Sequence, residues 1–136
     1  MTASGLVPLT DEFSQAYWDA AAEGRLLIQR CPGCGHHQFY PRRHCAHCFA
    51  PDPVWHPASG RGRVHTYTVV RQTPNAEFGG DCPYLLAIIE LDEGPRLTAR
   101  ILGASLVEVR CDAPVTVVFS AADHDVTLPN FALAGQ

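Results

Sequence analysis

Four cysteines, spaced as two C-x2-C pairs ten residues apart, constrain this 136-residue chain more than any other feature. The pairs are Cys31-Pro32-Gly33-Cys34 and Cys45-Ala46-His47-Cys48. Two intervening residues let one tight turn aim both sulfurs at a single ion. Two such turns joined by a short hairpin supply four thiolates in a tetrahedron, the arrangement zinc takes in closed structural sites. Pro32 presets the first turn, and Gly35 permits a backbone whose amides point at sulfur. The predicted metal ligands are therefore Cys31, Cys34, Cys45 and Cys48, holding one zinc per chain, with iron in a rubredoxin-like site as the alternative. Four thiolates leave no position open for water, so the predicted role is structural. His36, His37, His44 and His47 lie near enough to replace a sulfur, but beside a complete thiolate set they read as flanking or surface residues.

Cys82 and Cys111 belong to no motif. A nucleophilic cysteine needs a base or an electropositive pocket. Neither has an adjacent histidine, although His65 or His124 could approach in three dimensions; both cysteines read as small structural thiols. Asp123-His124-Asp125 is a loop cluster that an enzyme could use, but acidic loops of this kind are ordinarily solvent-facing. The chain carries no G-x-S-x-G, Walker or dinucleotide-binding motif.

Lysine is absent, and the net charge is −4. Seven arginines against the single acid Asp52 lie between Arg25 and Arg71, so a globally acidic chain carries one basic segment. Such a field attracts phosphate on a nucleotide or nucleic acid, or it simply solvates a small module. No run of about 18 apolar residues exists to span a membrane, and the N-terminal residues lack the basic and apolar regions of a signal peptide. The expectation is a cytoplasmic protein.

The length allows a small module joined to one compact domain. Thr10 is placed to cap a helix of about 12 residues from Asp11, with Phe13, Ala16, Tyr17, Ala20 and Ala21 on one apolar face and Gly24 ending it. Trp18 lies off that stripe as a candidate anchor for a partner. Arg25 to Arg30 and His37 to Tyr40 read as ribbon strands, followed by a proline-rich linker over 50–53 and turn chemistry over 57–62. From Arg63 the period changes to two, with Val64, Thr66, Thr68 and Val70 on one face. Tyr84 to Leu91 reads as a central strand, 96–101 and 115–120 as alternating strands, and 126–131 as an edge strand because of Pro129. The predicted fold is mainly β, with an N-terminal helical arm over 1–24, a zinc ribbon over 25–57 and a small closed or partly open barrel over 58–136.

These features, taken in order, resemble a known family. They are Arg30-Cys31-Pro32-Gly33-Cys34-Gly35, Tyr40-Pro41-Arg42, Cys45-Ala46-His47-Cys48, Trp55, Ser59 to Val64, Cys82-Pro83-Tyr84 and Ala113 to Val117. The chain is similar, from about Asp11 to Phe131, to the acyl-CoA-associated zinc-ribbon/OB-fold family known as domain of unknown function thirty-five. It departs at Ala113-Pro114, where a Gly-Met pair is common. The resemblance implies an OB-fold barrel carrying a rubredoxin-like ribbon, and four cysteines that match the metal ligands of the family. It also implies a non-catalytic accessory subunit that binds a thiolase-like or MaoC-like enzyme and helps hold its acyl-CoA. For the CoA phosphates, Arg42, Arg43, Arg61 and Arg63 are the candidates, since guanidinium binds phosphate in a bidentate way. Phe78 and Tyr84 could present a ring to adenine. The competing reading is a single-stranded nucleic-acid module, a role both folds also fill; the acidic balance and missing lysines count against it.

Overall fold

The computed structural model describes residues 13–72, 82–121 and 126–134. Thr10, Asp11, Glu12, Phe78 and the 123–125 cluster lie outside these residues. The elements are α1 (Gln15–Ala22), β1 (Leu27–Arg30), β2 (His37–Gln38), β3 (Val54–Pro57), β4 (Arg61–Val70), β5 (Tyr84–Leu91), β6 (Arg96–Ile101), β7 (Pro114–Ala121) and β8 (Thr127–Leu133). Strands β2-β1-β3 form one antiparallel sheet, and β4-β5-β6-β8-β7 close into a barrel. Among the described residues no helix is long and apolar enough to cross a membrane.

The helix is shorter than its periodicity predicts. Phe13 and Ser14 form a turn, α1 begins at Gln15, and Ala16 is exposed. Two turns of helix are marginal alone, so α1 depends on packing. Tyr17, Ala20 and Ala21 are buried, and the helix lies against both β1 and β8, joining ribbon to barrel. One continuous core follows: Tyr17, Leu26 and Ile28 pack with Val64, Leu85, Ile89, Val115 and Phe131.

Two other expectations are corrected, and one strand is new. Val54–Pro57, where the sequence predicts no element and only Pro57 reads as turn, is a strand pairing β1 along its whole length, from Leu27↔Pro57 to Arg30↔Val54. In β4 the inward face does not stay on even numbers: Gly62 and Val64 are buried, but Tyr67 and Val69 then turn to the core while Thr66 and Thr68 are exposed. The cause is a register shift between Val64 and Thr66, since one extra residue exchanges the two faces of a strand.

The strand holding Pro129 is not an edge. It pairs with β7 from Val115↔Leu133 to Ala121↔Thr127 and meets β6 at Ile101↔Phe131. The β6 seam is completed by Leu102 N–H donating to the Phe131 carbonyl at 2.8 Å and Arg100 N–H to the Asn130 Oδ1 at 3.0 Å. A sparse seam of this kind does not require a proline N–H at 129. The strand β5 lies between β4 and β6 as expected, though Ile88 on its outer face is exposed. The inward alternations of Leu97, Ala99, Ile101 and of Val115, Val117, Phe119 are as the sequence predicts.

Candidate metal centre

All four motif cysteines converge. Their Sγ atoms lie within 4.8 Å of one another, with Cys31 to Cys48 at 3.6 Å and Cys34 to Cys45 at 3.7 Å. A tetrahedron with zinc–sulfur bonds near 2.3 Å has edges of about 3.8 Å, so these two sulfur pairs already stand at the separation zinc requires and the donor set fits zinc. Cys31 and Cys45, the first of each pair, are buried; Cys34 and Cys48 are exposed at the rim. Backbone donors prepare the buried sulfurs. Cys34 N–H reaches Cys31 Sγ at 3.5 Å, while His47 and Cys48 N–H reach Cys45 Sγ at 3.2 and 3.4 Å. Such bonds favour thiolate over thiol. The Cys34 N–H lowers the Cys31 pKa, and the Cys48 and His47 amides bring Cys45 down to about 6.

The two turns come from opposite sides of the ribbon. The first is bracketed by β1 and β2, with Cys31 N–H donating to the His36 carbonyl at 2.9 Å. The second is closed by Cys45 N–H donating to the Ala50 carbonyl at 2.8 Å. A buried glutamine pair holds this second turn on the sheet. Gln38 Nε2 donates to Gln29 Oε1 at 2.7 Å, and Gln38 Oε1 accepts the Ala46 N–H at 2.8 Å. Gln29 clamps Arg42 from both sides, accepting its N–H at 2.8 Å and donating to its carbonyl at 2.9 Å. Sequence reasoning missed this pair; the available signal was one polar side chain after the apolar run Leu26-Leu27-Ile28.

Among the described residues no histidine enters the sulfur cluster. His36 and His47 stack across the two turns, with centroids 4.5 Å apart and planes 5° from parallel. His37 faces His56 at 5.0 Å, and the His44 carbonyl accepts from Gln38 Nε2 at 3.2 Å. Cys111 is exposed and Cys82 half-buried.

Arg42, Arg43, Arg61 and Arg63 are all exposed. Arg42 and Arg43 sit on the ribbon loop, and Arg61 and Arg63 project two residues apart from β4. Arg63 bonds Glu90 at 3.1 Å and lies 4.0 Å from Asp112; Arg43 lies over the Phe13 ring at 5.1 Å. One face of Tyr84 is covered by the Arg100 guanidinium, 3.9 Å from the ring centroid. Trp18 stands edge-on to Tyr17 and helps line a 390 Å³ cavity with Phe39, Tyr40, Leu97 and Leu128.

Known proteins share both halves of this arrangement. Residues 18–54 match the domain profile described as the ChsH2 rubredoxin-like zinc ribbon, and residues 55–120 match the ChsH2 C-terminal OB-fold domain. A DUF35 domain-containing scaffold protein of Methanocaldococcus jannaschii is 34% identical over 119 residues, spanning 86% of this chain and 84% of that protein. A probable enoyl-CoA hydratase alpha subunit of Thermomonospora curvata is 36% identical over 117 residues, or 85% of this chain. The chain spans only 36% of that relative's length. The solved structure described as the Ltp2-ChsH2(DUF35) aldolase contains a chain 33% identical to this one. The two superpose with a TM-score of 0.83 over 94% of this chain and 99% of that one. Ribbon, barrel, four-cysteine cluster and relatives agree, and the chain belongs to the DUF35 family of ChsH2-type zinc-ribbon/OB-fold proteins.

Proposed function

We propose that this protein is a non-catalytic accessory subunit that binds a thiolase-fold or MaoC-like enzyme and helps hold its acyl-CoA substrate. The observation that carries this reading is the near full-length similarity to relatives described as scaffold proteins and to a chain solved in an aldolase assembly. Cys31, Cys34, Cys45 and Cys48 bind one zinc per chain, which closes the ribbon and takes no part in chemistry. The chain divides into a helical arm over 1–24, a ribbon over 25–57 and a barrel over 58–136.

Arg42, Arg43, Arg61 and Arg63 offer guanidinium to the phosphates of CoA. Among them Arg63 would have to leave Glu90 to do so. The native mass of tagged protein purified from its own organism tests the reading. A complex with an enzyme subunit, and one metal per chain, is the expected result. Recovery of the chain alone, or of a chain that turns over acyl-CoA unaided, would overturn it.

A further inference from the structure

Both cysteine turns follow one plan, and they differ at one position. In each, the residue after the second cysteine returns its N–H to the carbonyl of the first: Gly35 to Cys31 at 2.8 Å, Phe49 to Cys45 at 2.9 Å. That closure requires left-handed backbone, with φ of 76° at Gly35 and 65° at Phe49. Glycine adopts it freely, whereas a residue with a Cβ is strained there. A bulky residue kept in strained backbone is ordinarily compensated by packing. Phe49 has little such compensation, because it is 77% exposed. Free in solution, the ring thus combines a backbone cost with an exposed apolar surface. Burying the ring in a complex would remove the exposed surface and offset the backbone cost, as burial of aromatic anchors at interfaces does.

We infer that Phe49 is the anchor by which the ribbon docks on its enzyme subunit, the ring entering an apolar socket on that partner. The inference rests on the accessory-subunit reading above. The loop carrying the ring adds a charge requirement. Arg42 and Arg43 are exposed there against the single acid Asp52, so the socket's rim is acidic. The partner's chemistry is accordingly an apolar pocket ringed by carboxylates.

The test separates the zinc-loaded chain from the enzyme subunit that co-purifies with it and remixes them, using wild type, Phe49→Gly and Phe49→Tyr. Glycine relieves the backbone and removes the ring. Its melting temperature should equal or exceed that of wild type, with zinc retained, while affinity for the enzyme subunit falls roughly tenfold or more. Tyrosine should bind within a few-fold of wild type. High salt should weaken the wild-type complex. Undiminished binding by Phe49→Gly would overturn the inference while leaving the accessory reading intact. A parallel loss of melting temperature and affinity would also overturn it, since the ring would then act through the fold. Absence of any enzyme subunit would remove the accessory reading and this inference together.

Discussion

Gln38 donates its side-chain amide to Gln29 at 2.7 Å between two strands of the ribbon, and both side chains are almost fully buried. The pair acts as backbone where the chain has none: its oxygens take the N–H groups of Arg42 and Ala46, and its amides reach the carbonyls of Arg42 and His44. The second cysteine turn is thereby fixed to the sheet carrying the first. Replacing Gln38 with Leu keeps the volume but takes the side-chain partner from the Ala46 N–H and the His44 carbonyl, and leaves Gln29 Oε1 with the Arg42 N–H alone. The expected loss is about 1–3 kcal/mol, the penalty for unpaired buried polar groups. Thermal unfolding of the zinc-loaded variant checks this, and faster zinc loss to a chelator should accompany it. Unchanged melting and zinc retention would show that the clamp is dispensable.

Removing the metal should act on one half of the protein first. The cluster joins the turn after β1 to the turn before β3, so its thiolates hold closed a sheet of only three short strands. Binding energy at such a site is also folding energy. Cys45→Ser, which removes a buried sulfur favoured as thiolate, should abolish stoichiometric zinc and expose the amides of β1 to β3 to hydrogen exchange. The barrel, β4 to β8, should keep its protection, because its ladders close on themselves. Uniform deprotection of both halves would mean that ribbon and barrel unfold as one unit.

What was legible in the sequence was local. The cysteine spacing specifies a cluster because each pair lies within one turn, and β6 and β7 declare themselves because inward residues recur at every second position. Features set by distant pairing were not legible. The strand β3 is short and ends in proline, and its partner β1 lies more than twenty residues earlier. The bulge in β4 leaves no mark on composition, yet it moves Tyr67 and Val69 inward. Pro129 argues for an edge only until the barrel closes and leaves none. Within the candidate site, the ligands were visible and the glutamine clamp was not, since an isolated polar residue in an apolar strand does not announce its partner.

Glu90 provides a pH signature. The Arg63 guanidinium bonds its carboxylate and holds its pKa below the ordinary 4.5. A carboxyl depressed in the folded state contributes stability above its ordinary pKa and loses it as pH falls through the lower folded value. The arginine is half exposed, so the contribution to stability is small and salt-sensitive. The clear readout is the titration itself. Followed by carboxyl NMR, Glu90 should titrate below its ordinary range in wild type and move up in Arg63→Ala. An identical midpoint in both would show that the pair does not persist in solution.

Gly62 marks a close approach of main chains in the barrel. Its strand pairs on one side with Leu91 of β5 and on the other with Val115 of β7, so three backbones meet at this residue. A Cβ built there would stand 2.5 Å from the Glu90 carbonyl oxygen and 3.1 Å from the Leu91 Cα. Both obstacles are main chain and cannot swing aside, so β4 and β5 would have to separate where β7 closes the sheet. Gly62→Ala should therefore destabilise the barrel by about 1–3 kcal/mol or more, as overpacking does. The zinc cluster, built on the other sheet, should still bind metal. Gly94 offers the control: it sits at the β5–β6 turn with nothing within 4 Å of an added Cβ, but at a φ of 118°. Alanine there meets strain without a clash, so its cost isolates the backbone contribution. A chemical-denaturation series on the two variants decides the matter. Gly62→Ala at or above wild-type stability would show that the close approach of β4 to β5 is relaxed in solution.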